Sequence, residues 1–440
     1  MTPSTMPPGD GSSLTEPLMG DSDEEAAGDR ENGLLASTAT SIEPPASKWM
    51  FLHATYHCIV TILGTGILGS PHATAAFGYV AAVIFITFIT LFSFYTTRIL
   101  VNIQEIGQTS YSDIADGLFG PGWAKYRVRP FLFVTFFPTV AVMILIGGDA
   151  LYTLIHLGRD LEVLPAKICG VIMGAVVFVI SLLPDLSEAW PVSVVGSVAA
   201  FLIVSYALAG SSLWIERCDR SENDYHDGGT IGIDPVFNIM SAAGSFLFGY
   251  GFHSIVPDIT SSLHIHEKQE RVRQMMTAVK LSFSFVGPSY IVIACLGYAA
   301  FGMSVSSNVM DSIGNVMGDG PMYVIWAFIA VKTATEAAAY NQASFALLRE
   351  SFGLANRSNE DHLPAANAGA WAIEMATRLT WTLSATILAL FIPYFSDLTA
   401  ITSAIGFTPL SFVLPMMFWN KKNEKNAPRW RVRMHYAFMV

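Results

Sequence analysis

The chain reads Gly64-Thr65-Gly66 in the middle of its first long apolar segment and Gly249-Tyr250-Gly251 in the middle of its sixth. A helix interrupted within the hydrocarbon core leaves main-chain N–H and C=O groups unpaired. This costs several kcal/mol per group unless the break lines a cavity or binds something. Each broken segment opens a run of five apolar segments, one run in each half of the chain. Such a matched pair indicates a substrate site near the membrane midplane of a secondary transporter.

The composition is typical of an integral membrane protein. Hydrophobic residues make up 52% of the 440 and charged residues 13%, whereas soluble domains carry about 25% charged residues. No basic stripe suits nucleic acid. The four scattered cysteines form no disulfide framework or zinc spacing, so neither a cofactor nor a metal site is expected.

The organisation follows from composition and span length. Residues 1–47 are acidic and poor in large apolar side chains, which predicts a disordered cytoplasmic tail. Residues 48–440 are predicted to form a transmembrane domain, with a first five-helix repeat at 49–214 and a second, inverted repeat at 236–419. A further helix is expected at 434–440, and the sequence leaves open whether it continues. The ten predicted spans are 49–70, 78–101, 130–157, 164–183, 189–214, 236–262, 277–301, 321–348, 372–395 and 398–419.

The distribution of Lys and Arg predicts the orientation. If the N-terminus is cytoplasmic, the inside loops hold most basic residues and the outside loops hold few, as the positive-inside rule requires. The inside set includes Lys125, Arg127, Arg129, Lys268, Arg271, Arg273, Lys280, Arg349, Arg357, Lys421, Lys422, Lys425, Arg429, Arg431 and Arg433.

The sequence motifs around the breaks resemble those of the amino acid/auxin permease family. The stretches that carry this resemblance are Tyr56-His57, Gly64 to Gly69 with Pro71 and Ala73, Phe77-Gly78-Tyr79, Phe237-Asn238, Phe248 to Tyr250 with His253 and Asp258, and Gly297 to Gly302 with Asn308. The resemblance implies a leucine-transporter-type fold of ten or eleven helices and proton-coupled import of amino acids or related zwitterions. Two positions depart from the family pattern: Asp149 follows a glycine pair in the third span, and Lys332 lies in the eighth.

The first break is predicted to bind the α-carboxylate of a substrate. A half-helix that starts near Thr65 offers free N–H groups and a positive dipole end at Gly64, Thr65 and Gly66. The same letters spell the dinucleotide fingerprint G-x-G-x-x-G, which is rejected because no βαβ unit follows. The glycines could instead serve only close helix packing.

The second break is predicted to complete the site. Carbonyls freed at Gly249, Tyr250 and Gly251 can accept hydrogen bonds from an α-ammonium group. Phe248 and Tyr250 either form walls of the pocket or simply pack.

Five ionisable residues are candidates for proton coupling or gating. His253 and Asp258 spell the acyltransferase motif H-x-x-x-x-D, but also suit a proton site or a tie to freed carbonyls. Lys332 and Glu336 share one helix face with Tyr340. They form either a structural ion pair or a proton site. Alternatively, the Lys332 ammonium group stands where a coupling sodium ion would bind in sodium-driven relatives. Asp149 is a further intramembrane acid.

The sequence therefore predicts a non-enzymatic, proton-coupled amino acid symporter that works by alternating access. Its expected partners are an amino acid, protons and the lipid bilayer. A membrane-bound acyltransferase using His253 and Asp258, a non-transporting amino acid sensor and a uniporter stay open as alternatives. The sequence does not decide the amino acid, the oligomeric state, or the choice between plasma membrane and vacuolar or endosomal membrane.

Overall fold

The computed structural model describes six stretches of the chain. They are residues 50–157, 164–183, 190–217, 233–352, 368–392 and 394–439. The predicted tail at 1–47 and most of the loop between the two repeats lie outside them.

The first half folds into helices joined by short connections. A 3-10 turn at Thr65–Gly69 separates α1 from α2. Gly78, with φ 73°, ends α2 and leads directly into α3, a left-handed conformation that favours glycine. The helices are α1 (Met50–Ile62), α2 (Ser70–Phe77), α3 (Tyr79–Ile103), α4 (Tyr111–Phe119), α5 (Trp123–Arg127), α6 (Arg129–His156), α7 (Ala166–Ile180) and α8 (Trp190–Arg217).

The second half repeats this pattern, including the early break. A 3-10 turn at Phe252–Ile255 follows the first helix of this half. The helices are α9 (Ile233–Gly249), α10 (Val256–Ser261), α11 (Lys268–Phe301), α12 (Val309–Met317), α13 (Asp319–Ser351), α14 (Ala368–Phe391), α15 (Phe395–Thr402), α16 (Leu414–Lys422) and α17 (Arg429–Met439).

The prediction of an all-helical, multi-pass membrane protein is confirmed. Among the described residues, eight helical stretches are long and apolar enough to cross a membrane. Both glycine breaks fall inside such stretches, Met50–Phe77 and Val236–Ser261. The breaks that the sequence predicts are therefore real interruptions of membrane-spanning helices.

The last helix begins earlier than the apolar pattern suggested. It starts at Arg429 rather than at Met434. The Arg431 guanidinium lies 4.0 Å from the centre of the Trp419 ring, so a charged residue fits within the first turns of this helix. The apolar pattern missed this turn because it treats every arginine as a span boundary.

The tenth predicted span is one continuous stretch of helix, but two of its turns are widened. Segments Ser403–Phe407 and Pro409–Val413 are π-helical. Proline has no N–H to donate, which favours such a local change of hydrogen bonding, and π-turns are frequent at functional sites.

The helices pack into two groups. In the first group, α11 lies against α1, α2 and α3. In the second group, α6 lies against α7, α13 and α14, and Gly148 of α6 approaches Gly170 of α7 so closely that an added Cβ would lie 2.8 Å from the Gly170 Cα atom. The first broken span therefore belongs to the first group and contacts α13 of the second, and α9 of the other broken span packs against α2 and α15.

Candidate functional site

The two breaks touch one another. A Cβ atom on Gly66 would lie 2.7 Å from the Gly249 Cα atom and 2.9 Å from the Gly249 nitrogen. Only glycine at position 66 permits this approach of two main chains. The fold thus brings together the Gly64-Thr65-Gly66 and Gly249-Tyr250-Gly251 segments, which are almost two hundred residues apart in sequence.

Side chains from other helices complete carbonyl groups freed at the end of α1. The Tyr290 hydroxyl of α11 donates a hydrogen bond to the Ile62 carbonyl oxygen over 3.2 Å. The Lys332 ammonium group of α13 donates to the Val60 carbonyl oxygen over 2.8 Å. The protein itself therefore satisfies main-chain groups for which the sequence suggested a bound solute.

The strongest electrostatic feature of the site is an ion pair between Lys332 and Glu336. Lys332 Nζ lies 2.7 Å from Glu336 Oε2, and each side chain is only 3% exposed. Removing two charges from water is costly, and mutual attraction with additional hydrogen bonds offsets that cost. The contact to the Val60 carbonyl supplies one such bond for the ammonium group.

The second carboxylate oxygen of Glu336 reaches the first break. A Cβ on Gly64 would lie 2.2 Å from Glu336 Oε1, and the Thr65 main-chain N–H donates to this carboxylate. The positive end of a half-helix thus faces an internal carboxylate. The chemistry expected at Thr65, recognition of a carboxylate by main-chain N–H groups, is present here with Glu336 as the carboxylate.

A small cavity lies beside this contact. Its volume is about 10 Å³, which is about the space for one water molecule. Its walls include Gly64, Thr65, Lys332 and Thr333.

Aromatic residues connect the second break to the opposite helix group. The Phe248 and Phe407 rings meet edge to face at 5.5 Å, and Phe407 reaches Tyr340 at 6.4 Å. Gly251 packs on Phe407 so closely that an added Cβ would lie 2.3 Å from the ring. Phe248 and Gly251 therefore lie at the boundary between the two groups.

The Tyr250 side chain does not lie at this boundary. It is completely buried, its hydroxyl accepts a hydrogen bond of 2.7 Å from Thr90 of α3, and its ring lies 4.9 Å from the Tyr290 ring. Its side chain consequently packs within the first helix group, in line with the packing alternative for this residue.

The His253 side chain is hydrogen-bonded to α3. Its Nε2 atom lies 2.9 Å from the Thr96 hydroxyl, 3.0 Å from the Thr97 hydroxyl and 3.1 Å from the Ser93 carbonyl oxygen. Both hydroxyls donate to main-chain carbonyls, so the Nε2–H is the donor in this cluster. The buried Nδ1 atom makes no close hydrogen bond among the described residues, but the ring also interacts with the main chain of Tyr250, in line with a tie to a carbonyl freed at the break.

The remaining two acids lie apart from the breaks. Asp258 is half-buried in α10, and no hydrogen bond among the described residues joins it to His253. Asp149 is exposed on α6, close enough to Asp311 of α12 for electrostatic interaction. A His253–Asp258 catalytic pair is therefore not formed.

A larger cavity lies near the α2 end of the site. It has a volume of about 530 Å³, and its walls are His72, Ala75, Ala76, Phe237, Asn238, Ile239, Ser241, Ala242, Ser245, Met303, Ser396 and Asp397. Since α2, α9 and α15 contribute all of these residues except Met303, the cavity lies on one side of both breaks.

Sequence reasoning missed Tyr290 and Phe407. Both lie inside apolar spans, where an aromatic residue usually indicates simple packing. Pro409, next to the π-helical segment, was the available signal for Phe407.

Comparisons with known proteins agree with this architecture. Residues 47–440 match the family model described as transmembrane amino acid transporter protein. The chain is 24% identical to GABA transporter 1 of Arabidopsis thaliana over 433 residues, covering 92% of this chain and 91% of that protein. It is 22% identical to amino acid permease 2 of the same plant, covering 86% of this chain and 82% of that protein.

A solved structure shares the fold. The crystal structure of MhsT in complex with L-phenylalanine superimposes with a TM-score of 0.57 at 12% identity, covering 89% of this chain and 92% of that one. MhsT has the leucine-transporter-type fold, so the predicted fold class is confirmed.

Proposed function

The chain belongs to the transmembrane amino acid transporter family, and from this premise we propose that it carries an amino acid across a membrane by proton-coupled alternating access. The observation on which the proposal depends is the position of Glu336. This carboxylate occupies the N–H end of the first break while it is paired with Lys332.

The substrate would engage both breaks. Its α-carboxylate takes the N–H groups at Thr65 and Gly66, and its α-ammonium group meets carbonyl oxygens around Gly249 and Tyr250. Phe248 would contact the substrate side chain, and its position where the two helix groups meet supports this. The relatives' names support an amino acid as the substrate class.

Competition between two carboxylates supplies the coupling. Two unit negative charges about 4 Å apart repel by about 4 kcal/mol at an effective dielectric constant near 20, which is about a thousandfold in affinity. The substrate carboxylate and an ionised Glu336 therefore exclude one another at Thr65. A proton on Glu336 removes that repulsion, so one proton enters with each substrate. Lys332 keeps its bond to the Val60 carbonyl throughout.

His253 is a second candidate for the proton site because it is a buried imidazole directly after the second break. Asp258 and Asp149 are weaker candidates, since no hydrogen bond or ion pair among the described residues joins either side chain to the breaks.

The motion follows from the packing. The group containing α1, α2, α3 and α11 would rock against the group containing α6, α7, α13 and α14. We assign the 530 Å³ cavity to the entrance. With the N-terminus in the cytoplasm, as the positive-inside rule favours, this entrance faces the exterior or an organelle lumen. Transport then runs into the cytosol from the plasma membrane or a vacuolar or endosomal membrane.

Uptake of a radiolabelled amino acid panel into proteoliposomes tests the proposal. We expect faster, electrogenic uptake when the entrance side is acidic, because a zwitterion and one proton carry net positive charge. Glu336→Gln should retain substrate binding but lose proton-driven accumulation. Glu350→Gln removes a carboxylate from the same helix, where it pairs with Arg129 away from the site, and should keep proton-driven accumulation.

Electroneutral uptake that does not depend on pH would contradict the proton step. Substrate binding without flux would instead favour the sensor alternative. Unchanged coupling in Glu336→Gln would remove this carboxylate from the mechanism.

A further inference from the structure

A third cavity lies where α3, α16 and α17 leave the membrane. Its volume is about 510 Å³, and its walls are Tyr95, Arg98, Ile99, Asn102, Trp419, Trp430, Arg431 and Met434. It is separate from the breaks, and its walls contain two guanidinium groups and no acidic residue. We propose that it binds the phosphorylated headgroup of an anionic membrane lipid.

A hydrogen-bonded chain holds Arg431 at the cavity. The Arg431 Nε–H donates to the Tyr95 hydroxyl over 3.0 Å, and that hydroxyl lies 2.6 Å from His435 Nε2. His435 Nδ1 lies 2.7 Å from the Asn420 side-chain oxygen. If the Tyr95 hydroxyl donates to Nε2 and Nδ1–H donates to the Asn420 oxygen, both ring nitrogens of His435 are satisfied with a neutral imidazole. The guanidinium is therefore positioned before any ligand arrives.

The charged ends remain available. Beyond its Nε–H contact, the Arg431 guanidinium has no side-chain partner among the described residues except the Trp419 and Tyr95 rings. The Arg98 side chain is exposed and makes no ion pair within the described ranges. A phosphate group accepts hydrogen bonds from both guanidinium groups, and arginine suits this geometry because its donors form a planar fork.

The surroundings favour a lipid over a soluble ion. Arg98 lies near the end of membrane-spanning α3, and Arg429 begins α17 directly after the loop that follows α16. Trp430 is 66% exposed, and exposed tryptophans are typical of the headgroup level of a membrane. Ile99 and Met434 give the cavity an apolar side for the glycerol and upper acyl region.

The charge of the adjacent segment points the same way. Basic residues outnumber acidic ones strongly between positions 421 and 433, with Glu424 the sole acid. Basic pockets and clusters next to a membrane helix attract anionic lipids, at about 1 kcal/mol per Lys or Arg near the surface. That corresponds to about fivefold in affinity for each guanidinium removed.

Native mass spectrometry of the full chain, purified from membranes containing phosphatidylinositol phosphates and phosphatidylserine, tests the site. The wild-type chain should retain one anionic phospholipid. Arg98→Gln should weaken retention about fivefold, and this variant removes no contact that the described fold uses. Arg98→Gln combined with Arg431→Gln should weaken it further.

The matched control is Lys425→Gln combined with Arg433→Gln. It removes two positive charges, as the double cavity variant does, but from positions outside the cavity walls, and it should retain the lipid. Equal retention by all variants, or equal loss in the control, would overturn the proposal. Displacement of the lipid by inorganic phosphate alone would overturn it in favour of a soluble phosphate site.

Discussion

Gly66 and Gly249 meet main chain to main chain, since an added Cβ on Gly66 would lie 2.7 Å from the Gly249 Cα atom. This contact joins the two half-sites that the sequence places in different repeats. It also means that the geometry of the first break depends on that of the second.

Gly66→Ala should lower amino acid uptake by roughly tenfold or more, because overpacking against backbone costs about 1–3 kcal/mol. The added Cβ would meet the main chain of Gly249, which cannot move aside as the end of a flexible side chain can. Gly320→Ala is the control, since nothing lies within 4 Å of an added Cβ there. Wild-type uptake by Gly66→Ala would show that the contact has no functional role.

Gly64→Ala should act through Glu336. The added methyl group would lie only 2.2 Å from Glu336 Oε1. The carboxylate must therefore move away from the Thr65 N–H. We expect reduced proton-driven uptake, and partial recovery when Glu336→Asp shortens the acid in the same chain. If the double variant is no better than Gly64→Ala alone, the defect lies in the backbone instead.

Lys332→Met should destabilise the protein by about 3 kcal/mol, because it leaves a buried carboxylate without its partner. Combining it with Glu336→Gln removes both charges, so the loss should be smaller. Thermal unfolding midpoints of the purified variants in one detergent measure this. An equal or larger loss in the double variant would mean that the pair is not coupled.

Glu105 should not contribute to the pH dependence of uptake. Hydrogen bonds from Lys268 and then Lys422 hold the pKa of this carboxyl below its usual value of 4.5. A lowered pKa means that the bridge contributes fully above the ordinary value and is lost only as the pH falls through the lowered one.

Uptake by Glu105→Gln should therefore keep the same profile between about pH 5 and pH 8. The cost in stability should stay below about 1 kcal/mol, since the group is half exposed. A flattened pH profile in this variant would make Glu105, rather than Glu336, the proton-coupling group.

Much of the fold follows from local sequence. The apolar spans and both glycine breaks could be predicted because hydrophobic length and the interruption of a helix are properties of neighbouring residues. Arg431 shows the limit of that reasoning, since its place in α17 depends on packing against Trp419, which no local pattern records.

The site was predictable in its parts but not in its assembly. Thr65 and Glu336 could each be identified as unusual for a membrane span. Their contact joins helices from different repeats, and a pairing of that kind depends on how whole helices dock. The role of Tyr290 was out of reach for the same reason, because the Ile62 carbonyl that it completes lies in another helix.

The bonds from Thr90 to Tyr250 and from Thr96 and Thr97 to His253 fasten the second break to one helix, α3. We therefore expect any tilt of α3 during transport to carry α10, the helix that follows the second break, with it. No hydrogen bond in that joint has to be remade during a turnover. The temperature dependence of the cycle should then be set at the opposite wall, where Glu336 leaves the Thr65 N–H and takes up a proton while Lys332 keeps the Val60 carbonyl.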